Sequence, residues 1–255
     1  MSKFLSVSKQ EGVATITINN PPMNVLSEQV TQELGEVFSD IKTDNTIIAV
    51  ILTGEGEKAF MAGADIKEFP DRATGQETVN THEIFNQIAQ LPKPTIAMLN
   101  GYTLGGGLEL SLTCDIRIAE EHAKLGLPEV TLGLLPGGGG TQRLPRIVGN
   151  AIAKELMFTG KQLTAHEAMQ LSLVNQVVPK SEGMQTAEKL AAKIASMSLE
   201  SLSRIKQLIN ETDENSLERG LQQEEQQFNE VFKTEDAKEG VQAFIEKRSP
   251  TFKHR

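Results

Sequence analysis

Two short runs decide most of what this chain can fold into. Ile47-Ile48-Ala49-Val50-Ile51-Leu52 is apolar throughout, and Thr95-Ile96-Ala97-Met98-Leu99 nearly so. A strand with one face in water alternates apolar with polar residues. A continuous run instead reads as a strand buried on both faces, in a sheet covered by helices.

The neighbouring segments supply that cover. Residues 4–19 read as two strands turning at Glu11-Gly12, with Val13 to Ile18 β-branched and alternating. Asn20-Pro21-Pro22 is a breaker. Ser27 then caps an amphipathic helix from about Glu28 to Ile41, with Val30, Leu34, Val37, Phe38 and Ile41 on one face. Residues 76–90 read as helix, Gly105-Gly106-Gly107 open a helix to about Leu112, and residues 115–119 return to strand. The glycines 137–140 lead a helical stretch to about Thr159, Thr164 caps another helix, and residues 174–178 form a late strand. Residues 184–246 are helical in character, rich in Glu, Gln and Lys with apolar spacings of three and four. The expectation is an α/β core over residues 1–183 and a helical region over residues 184–255. That region is too thin for its own bundle and docks on the core or on another subunit.

Composition narrows the function classes. The 255 residues are 38% hydrophobic and 23% charged, as in ordinary globular chains. A single cysteine, Cys114, excludes an internal disulfide and any Cys-x-x-Cys zinc cluster, and fits a reducing compartment. The four histidines, at 82, 122, 166 and 254, show no ligand spacing and read as surface residues. The N-terminal residues MSKFLSVSKQEG lack the apolar region of a signal peptide, and no apolar stretch reaches the roughly 18 residues of a membrane span. These features point to the cytoplasm, with no metal and no membrane partner. The net charge of -9 without a basic stripe argues against nucleic acid. A polyanionic ligand would need a local basic cluster or helix N-termini.

Three segments can carry chemistry. In Gly105-Gly106-Gly107-Leu108-Glu109 a buried strand enters glycines and then a helix, so a backbone N–H can approach a ligand and hold a developing oxyanion. Glu109 lies three residues beyond Gly106, on the same side of the first turn. In Gly126-Leu127-Pro128-Glu129, Pro128 fixes the backbone ahead of a second carboxylate. In Ala62-Gly63-Ala64-Asp65-Ile66-Lys67 a small-residue turn allows a second exposed N–H, and Asp65 can cap the next helix. Each alone is equally well a turn or a helix start. The run 137–140 lacks the Lys-Ser/Thr of a phosphate-binding loop, and no Gly-x-Ser-x-Gly elbow is present. Cys114 reads as a small core residue.

Taken in order, these motifs resemble the crotonase (enoyl-CoA hydratase/isomerase) superfamily. The residues that carry the likeness are Phe60 to Glu68, Asn100 to Leu110, Cys114-Asp115, Gly126 to Glu129, Pro136 to Leu144, and the tail from Thr234 to Gly240 and Ala243 to Arg248. The likeness covers nearly the whole chain. It implies a superhelix of ββα units, the crotonase (ClpP-like) fold, with a C-terminal helical region that mediates trimers or dimers of trimers.

It also implies an oxyanion hole from the Ala64 and Gly106 N–H groups and two catalytic glutamates, Glu109 and Glu129. Coenzyme A, as part of the substrate, would meet residues 62 and 64–67 (Ala62, Ala64, Asp65, Ile66 and Lys67) and Gly106. Gly137 would start a helix pointing its N-terminus at the thioester. Phe244 and Lys247 match positions that reach a neighbouring subunit's coenzyme A. No metal or redox cofactor is implied. Both glutamates favour a hydratase of trans-2-enoyl-CoA over an isomerase of the same fold, or over a non-catalytic CoA-binding or RNA-associated scaffold. Two departures stand out. Asn20-Pro-Pro-Met-Asn24 lacks the Arg many hydratases carry there, and Ser172 stands where Gly is more usual.

Overall fold

The computed structural model describes residues 2–68 and 79–254. The expected helix over 76–90 therefore falls partly outside the described residues, and its described part is a helix from Thr81 to Ala89.

The chain builds two sheets and walks between them. In the larger sheet, β1 (Leu5–Gln10) and β2 (Val13–Ile18) form an antiparallel hairpin, and β2 runs parallel to β3 (Ala49–Gly54). The sheet continues in parallel through β5 (Thr95–Leu99), β7 (Ile116–Glu120) and β10 (Gln176–Val178). The smaller sheet holds β4 (Ala59–Ala62), β6 (Tyr102–Leu104) and β8 (Lys124–Gly126) in parallel, with β9 (Leu163–Thr164) antiparallel at its edge. Three times the chain passes from a strand of the large sheet to one of the small sheet and then into helix. That repeat is the superhelix of ββα units.

The continuous apolar runs have a direct cause. Every residue of β3 and β5 is buried. Val50, Leu52, Ala97 and Leu99 belong to the main core with α1 (Glu28–Thr43). Ala49, Ile51, Ile96 and Met98 face a second cluster with Ala187 and Ala191 of a late helix, Gly183–Ala195. Alternate residues thus meet a helix on either side of the sheet, so the polar side chains of these strands, Thr53 and Thr95, stand near their ends with their hydroxyls hydrogen-bonded to the Met98 carbonyl and to Asp115. Ser27 caps α1 by accepting the Val30 N–H at 3.2 Å, worth about 1 kcal/mol.

Further along, α2 (Thr81–Ala89) comes after the small sheet's first strand, and α3 (Gly106–Ser111) after its second. The helical stretch expected from the glycine run to Thr159 is two helices, α4 (Gly140–Val148) and α5 (Asn150–Thr159), broken at Gly149. Gly149 has a φ of 82°, which ends one helix and starts the next. Thr164 and Glu167 close a reciprocal capping box on α6 (Ala165–Gln170).

After α7 (Gly183–Ala195) come α8 (Leu199–Asn210), α9 (Leu217–Val231) and α10 (Glu235–Glu246). These three bury few side chains, and α9 buries none. Lys206 of α8 is an exception: it pairs with Asp115 at 2.9 Å and donates to the Lys93 carbonyl. No helix among the described residues is long and apolar enough to cross a membrane.

Candidate active site

The small sheet brings three loops to one place. β4, β6 and β8 are parallel neighbours, so their C-terminal ends lie side by side. Those ends carry Ala62 to Ala64, Leu104 to Gly106, and Gly126 to Glu129. Parallel sheets present ligand sites at this edge, and a cavity of about 950 Å3 opens here, lined by residues of all three loops. Its volume suits a small-molecule ligand.

The first loop is pinned by Leu26. The Leu26 N–H donates to the Gly63 carbonyl at 2.8 Å, and the Asp65 N–H donates to the Leu26 carbonyl at 2.9 Å. This pairing uses the backbone on either side of Ala64, so the Ala64 N–H faces away from Leu26. Asp65 then caps a short 3-10 turn, Ile66–Glu68, accepting the Lys67 N–H at 3.1 Å.

The second loop lies against the first. A side chain at Gly106 would sit 4.0 Å from the Ala64 nitrogen, so the two N–H groups are close neighbours. Gly106 is the first residue of α3, where backbone N–H groups have no partner within the helix. Gly107 lets the helix settle on β4, because a Cβ there would lie 2.0 Å from the Met61 carbonyl oxygen. The glycines therefore serve both approach and packing. Among the described residues, neither the Ala64 nor the Gly106 N–H has a backbone partner outside regular elements.

Glu109 comes next on α3, nearly inaccessible at 3% exposure. Its Oε1 accepts two N–H groups, from Gly138 and Gly140, each at 2.7 Å. Among the described residues Oε2 accepts no hydrogen bond, and Glu109 lines the cavity. Burial pushes the Glu109 carboxyl up from its ordinary value, while the two N–H groups and the charges of His82 and Arg143 oppose that rise.

Glu129 sits in a different environment. It opens a 3-10 turn, Glu129–Leu132, entered through Pro128 and closed by left-handed Gly133. Its Oε2 is buried without a hydrogen-bond partner among the described residues. Desolvation, with the Glu109 charge adding to it, raises its pKa to about 7. Its Oε1 approaches Gly105, at 3.2 Å from where a Cβ would stand. Both glutamates line the same cavity, beside Leu26, Leu104, Leu132 and Leu134.

The remaining expected residues divide between the cavity and the surface. Ala62, Ala64, Ile66 and Gly137 line the cavity with Gly106. Lys67 is exposed next to Ile66. Phe244 and Lys247 are exposed at the end of α10, Phe244 to 85%. Gly137 does not start a helix: α4 begins at Gly140, after left-handed Gly139. The Gly138 and Gly140 N–H groups of this turn go to Glu109. Cys114 is a core residue, and burial raises its thiol to about 11. No cluster that could hold a metal ion occurs among the described residues.

Two residues near the site carried no sequence signal. His82 is exposed, as expected, and also lines the cavity from the first turn of α2. Arg143 donates to the Gly138 carbonyl at 3.0 Å and to Asn86 Oδ1 at 2.6 Å. Only the meeting of α2, α4 and the glycine turn makes them visible.

Known proteins match along nearly the whole chain. A family model described as enoyl-CoA hydratase/isomerase matches residues 8–255. The short-chain-enoyl-CoA hydratase of Clostridium acetobutylicum is 44% identical over 246 residues, covering 95% of this chain and 94% of that protein. The 2,3-dehydroadipyl-CoA hydratase of Escherichia coli is 39% identical, over 98% of this chain and 99% of that protein. A crystal structure of enoyl-CoA hydratase from Bacillus anthracis superposes with a TM-score of 0.95 at 42% identity, covering 99% of this chain and 100% of that one.

Proposed function

This chain belongs to the enoyl-CoA hydratase/isomerase family, and we propose that it adds water across the 2,3 double bond of trans-2-enoyl-CoA thioesters to give 3-hydroxyacyl-CoA. The observation that carries this reading is a pair of carboxylates on one cavity, both raised by burial but differing in the donors that face them. Glu109 is held as an acceptor by two N–H groups. Glu129, with a pKa of about 7, keeps its proton up to about neutral pH.

Those roles set the chemistry. The thioester oxygen lies between the Ala64 and Gly106 N–H groups. A water held by Glu109 Oε2 gives its proton to that carboxylate as its oxygen bonds C3. The π electrons move to the thioester oxygen, and each N–H stabilises the enolate by about 3 kcal/mol. C2 then takes the proton of Glu129 as the carbonyl re-forms. Glu109 ends protonated and Glu129 ionised, and one proton passed between them through solvent resets the pair. The net change is one water added. Coenzyme A is part of the substrate, and the steps call on no metal or redox group.

The remaining contacts belong to the same proposal. Lys67, exposed and next in sequence to the cavity residue Ile66, suits the coenzyme A phosphates, and Phe244 and Lys247 suit a neighbouring subunit's coenzyme A. Leu217, Leu221, Phe228 and Phe232 are more than half exposed on and beside α9. Apolar surface of this kind fits burial between copies of the chain, as a trimer or a dimer of trimers. A single-chain mass by light scattering would refute that assembly. The cytoplasm is the proposed location.

Loss of the conjugated absorbance of crotonyl-CoA tests the activity. Wild type is expected to hydrate it rapidly, and Glu109→Gln and Glu129→Gln are each expected to lose at least about 100-fold in kcat. No turnover of crotonyl-CoA or longer enoyl-CoAs by wild type would overturn the reading.

A further inference from the structure

The Glu109 carboxylate is fixed by backbone N–H groups, so something must fix that backbone. Gly138 and Gly140 donate to one oxygen, Oε1, from either side of Gly139, which has a φ of 104°. Three glycines in a row are the least constrained backbone a chain can offer. Left to itself the turn would sample many states, and two N–H groups would seldom converge on one atom.

One side chain removes that freedom. Arg143 lies one turn into α4, and its Nη1 donates to the Gly138 carbonyl at 3.0 Å. That carbonyl belongs to the peptide between Gly138 and Gly139, which sits between the two peptides whose N–H groups hold Glu109. Nη2 of the same guanidinium donates to Asn86 Oδ1 on α2 at 2.6 Å. The planar fork thus ties the turn to a second helix, with both arms in a fixed relation. Gly139 makes the room: a Cβ there would lie 2.1 Å from Nη1. The guanidinium charge also favours the ionised form of Glu109.

We propose that Arg143 is a positioning residue for hydration: by gripping the Gly138 carbonyl and Asn86 together, it holds the glycine turn that aims Glu109 at the water. The inference rests on the reading of Glu109 as the group that activates water. Among the described residues, three ionisable groups bear on Glu109: Arg143 from α4, His82 from α2 and Glu129 from its 3-10 turn. The first two favour the carboxylate, so losing Arg143 moves the Glu109 titration to higher pH.

The test is steady-state hydration of crotonyl-CoA from pH 5 to 9 by wild type, Arg143→Lys, Arg143→Gln and Asn86→Ala, with melting curves alongside. For Arg143→Gln, kcat is expected to fall about 10- to 100-fold while KM stays within about threefold, the signature of a misplaced group rather than weaker binding. The acidic limb of kcat/KM is expected to move to higher pH. Arg143→Lys keeps a charge without the fork, so its limb should stay nearer wild type while kcat remains depressed. Asn86→Ala, which removes a partner at the exposed end of the grip, should lower kcat in the same direction by about two- to tenfold. It decides the matter if Arg143→Gln fails to fold. Folded variants with wild-type kcat and an unmoved acidic limb would overturn the inference. Wild type without hydratase activity would instead overturn the functional reading beneath it.

Discussion

The turn that holds Glu109 and the turn that carries Glu129 place the same side chain in opposite circumstances. Around Glu109, residues 138–140 turn two N–H groups onto one oxygen. Around Glu129, a 3-10 turn leaves a carboxyl oxygen buried with no partner among the described residues. Burial raises both carboxyls, yet only Glu109 has backbone N–H groups from a facing turn and nearby cations to oppose it. A buried carboxylate is tolerable when donors replace the water it lost, and otherwise it keeps its proton. On the proposed reading, two glutamates in one cavity serve as base and acid without any difference in covalent structure.

The comparison breaks most severely if the glycine turn is filled. A methyl on Gly138 would lie 2.8 Å from Glu109 Oε2 and 3.0 Å from the fully buried Phe85 ring. The first contact is relieved only by moving the carboxylate, and the second only by moving a packed ring. Gly138→Ala is therefore expected to lower kcat for crotonyl-CoA about 100-fold in a protein that still folds. Activity near wild type would mean that the turn does not set the position of Glu109.

A smaller effect sharpens the other side. The folded-state pKa of Glu129 lies above its unfolded value, so the folded protein holds the extra proton between about pH 4.5 and about 7. Stability contributed by that protonated state is present below pH 4.5 and is lost as pH rises through this window. Glu129→Gln cannot ionise and escapes the loss. Its melting temperature relative to wild type should therefore rise between pH 5 and pH 8, by roughly 5 °C for a change on the order of 2 kcal/mol. A constant difference across that range would show that Glu129 ionises normally.

The sequence carries the parts of the fold that have a local period. The runs at β3 and β5, the Ser27 cap and the Thr164 cap each leave a signature within a few residues, and all are found where expected. The small sheet is different. β6, β8 and β9 span three, three and two residues, too short for any periodicity, and exist because neighbouring ββα units bring them together. Ser172 is informative in the opposite sense: it occupies a φ of 59° after α6, a left-handed position that explains why glycine is more usual there.

The site divides in the same way. Glu109, Glu129 and the two glycine-rich segments stand out as ordered motifs, and the structure brings them to one cavity. The partners of Glu109 lie 29 and 31 residues beyond it, Asn86 lies 57 residues before Arg143, and nothing local announces either link. The protonation state of Glu129 is less visible still, because it depends on which atoms its side chain fails to meet.

Hydrogen exchange at C2 tests the division of labour most directly. Butanoyl-CoA has no double bond to hydrate, so in D2O its C2 exchange reports proton transfer at that carbon alone. If Glu129 serves C2 and Glu109 serves the water, wild type exchanges C2 deuterium, Glu129→Gln loses about 100-fold or more, and Glu109→Gln stays within about tenfold of wild type. Exchange that survives in Glu129→Gln and disappears in Glu109→Gln would contradict the account and reverse the two roles.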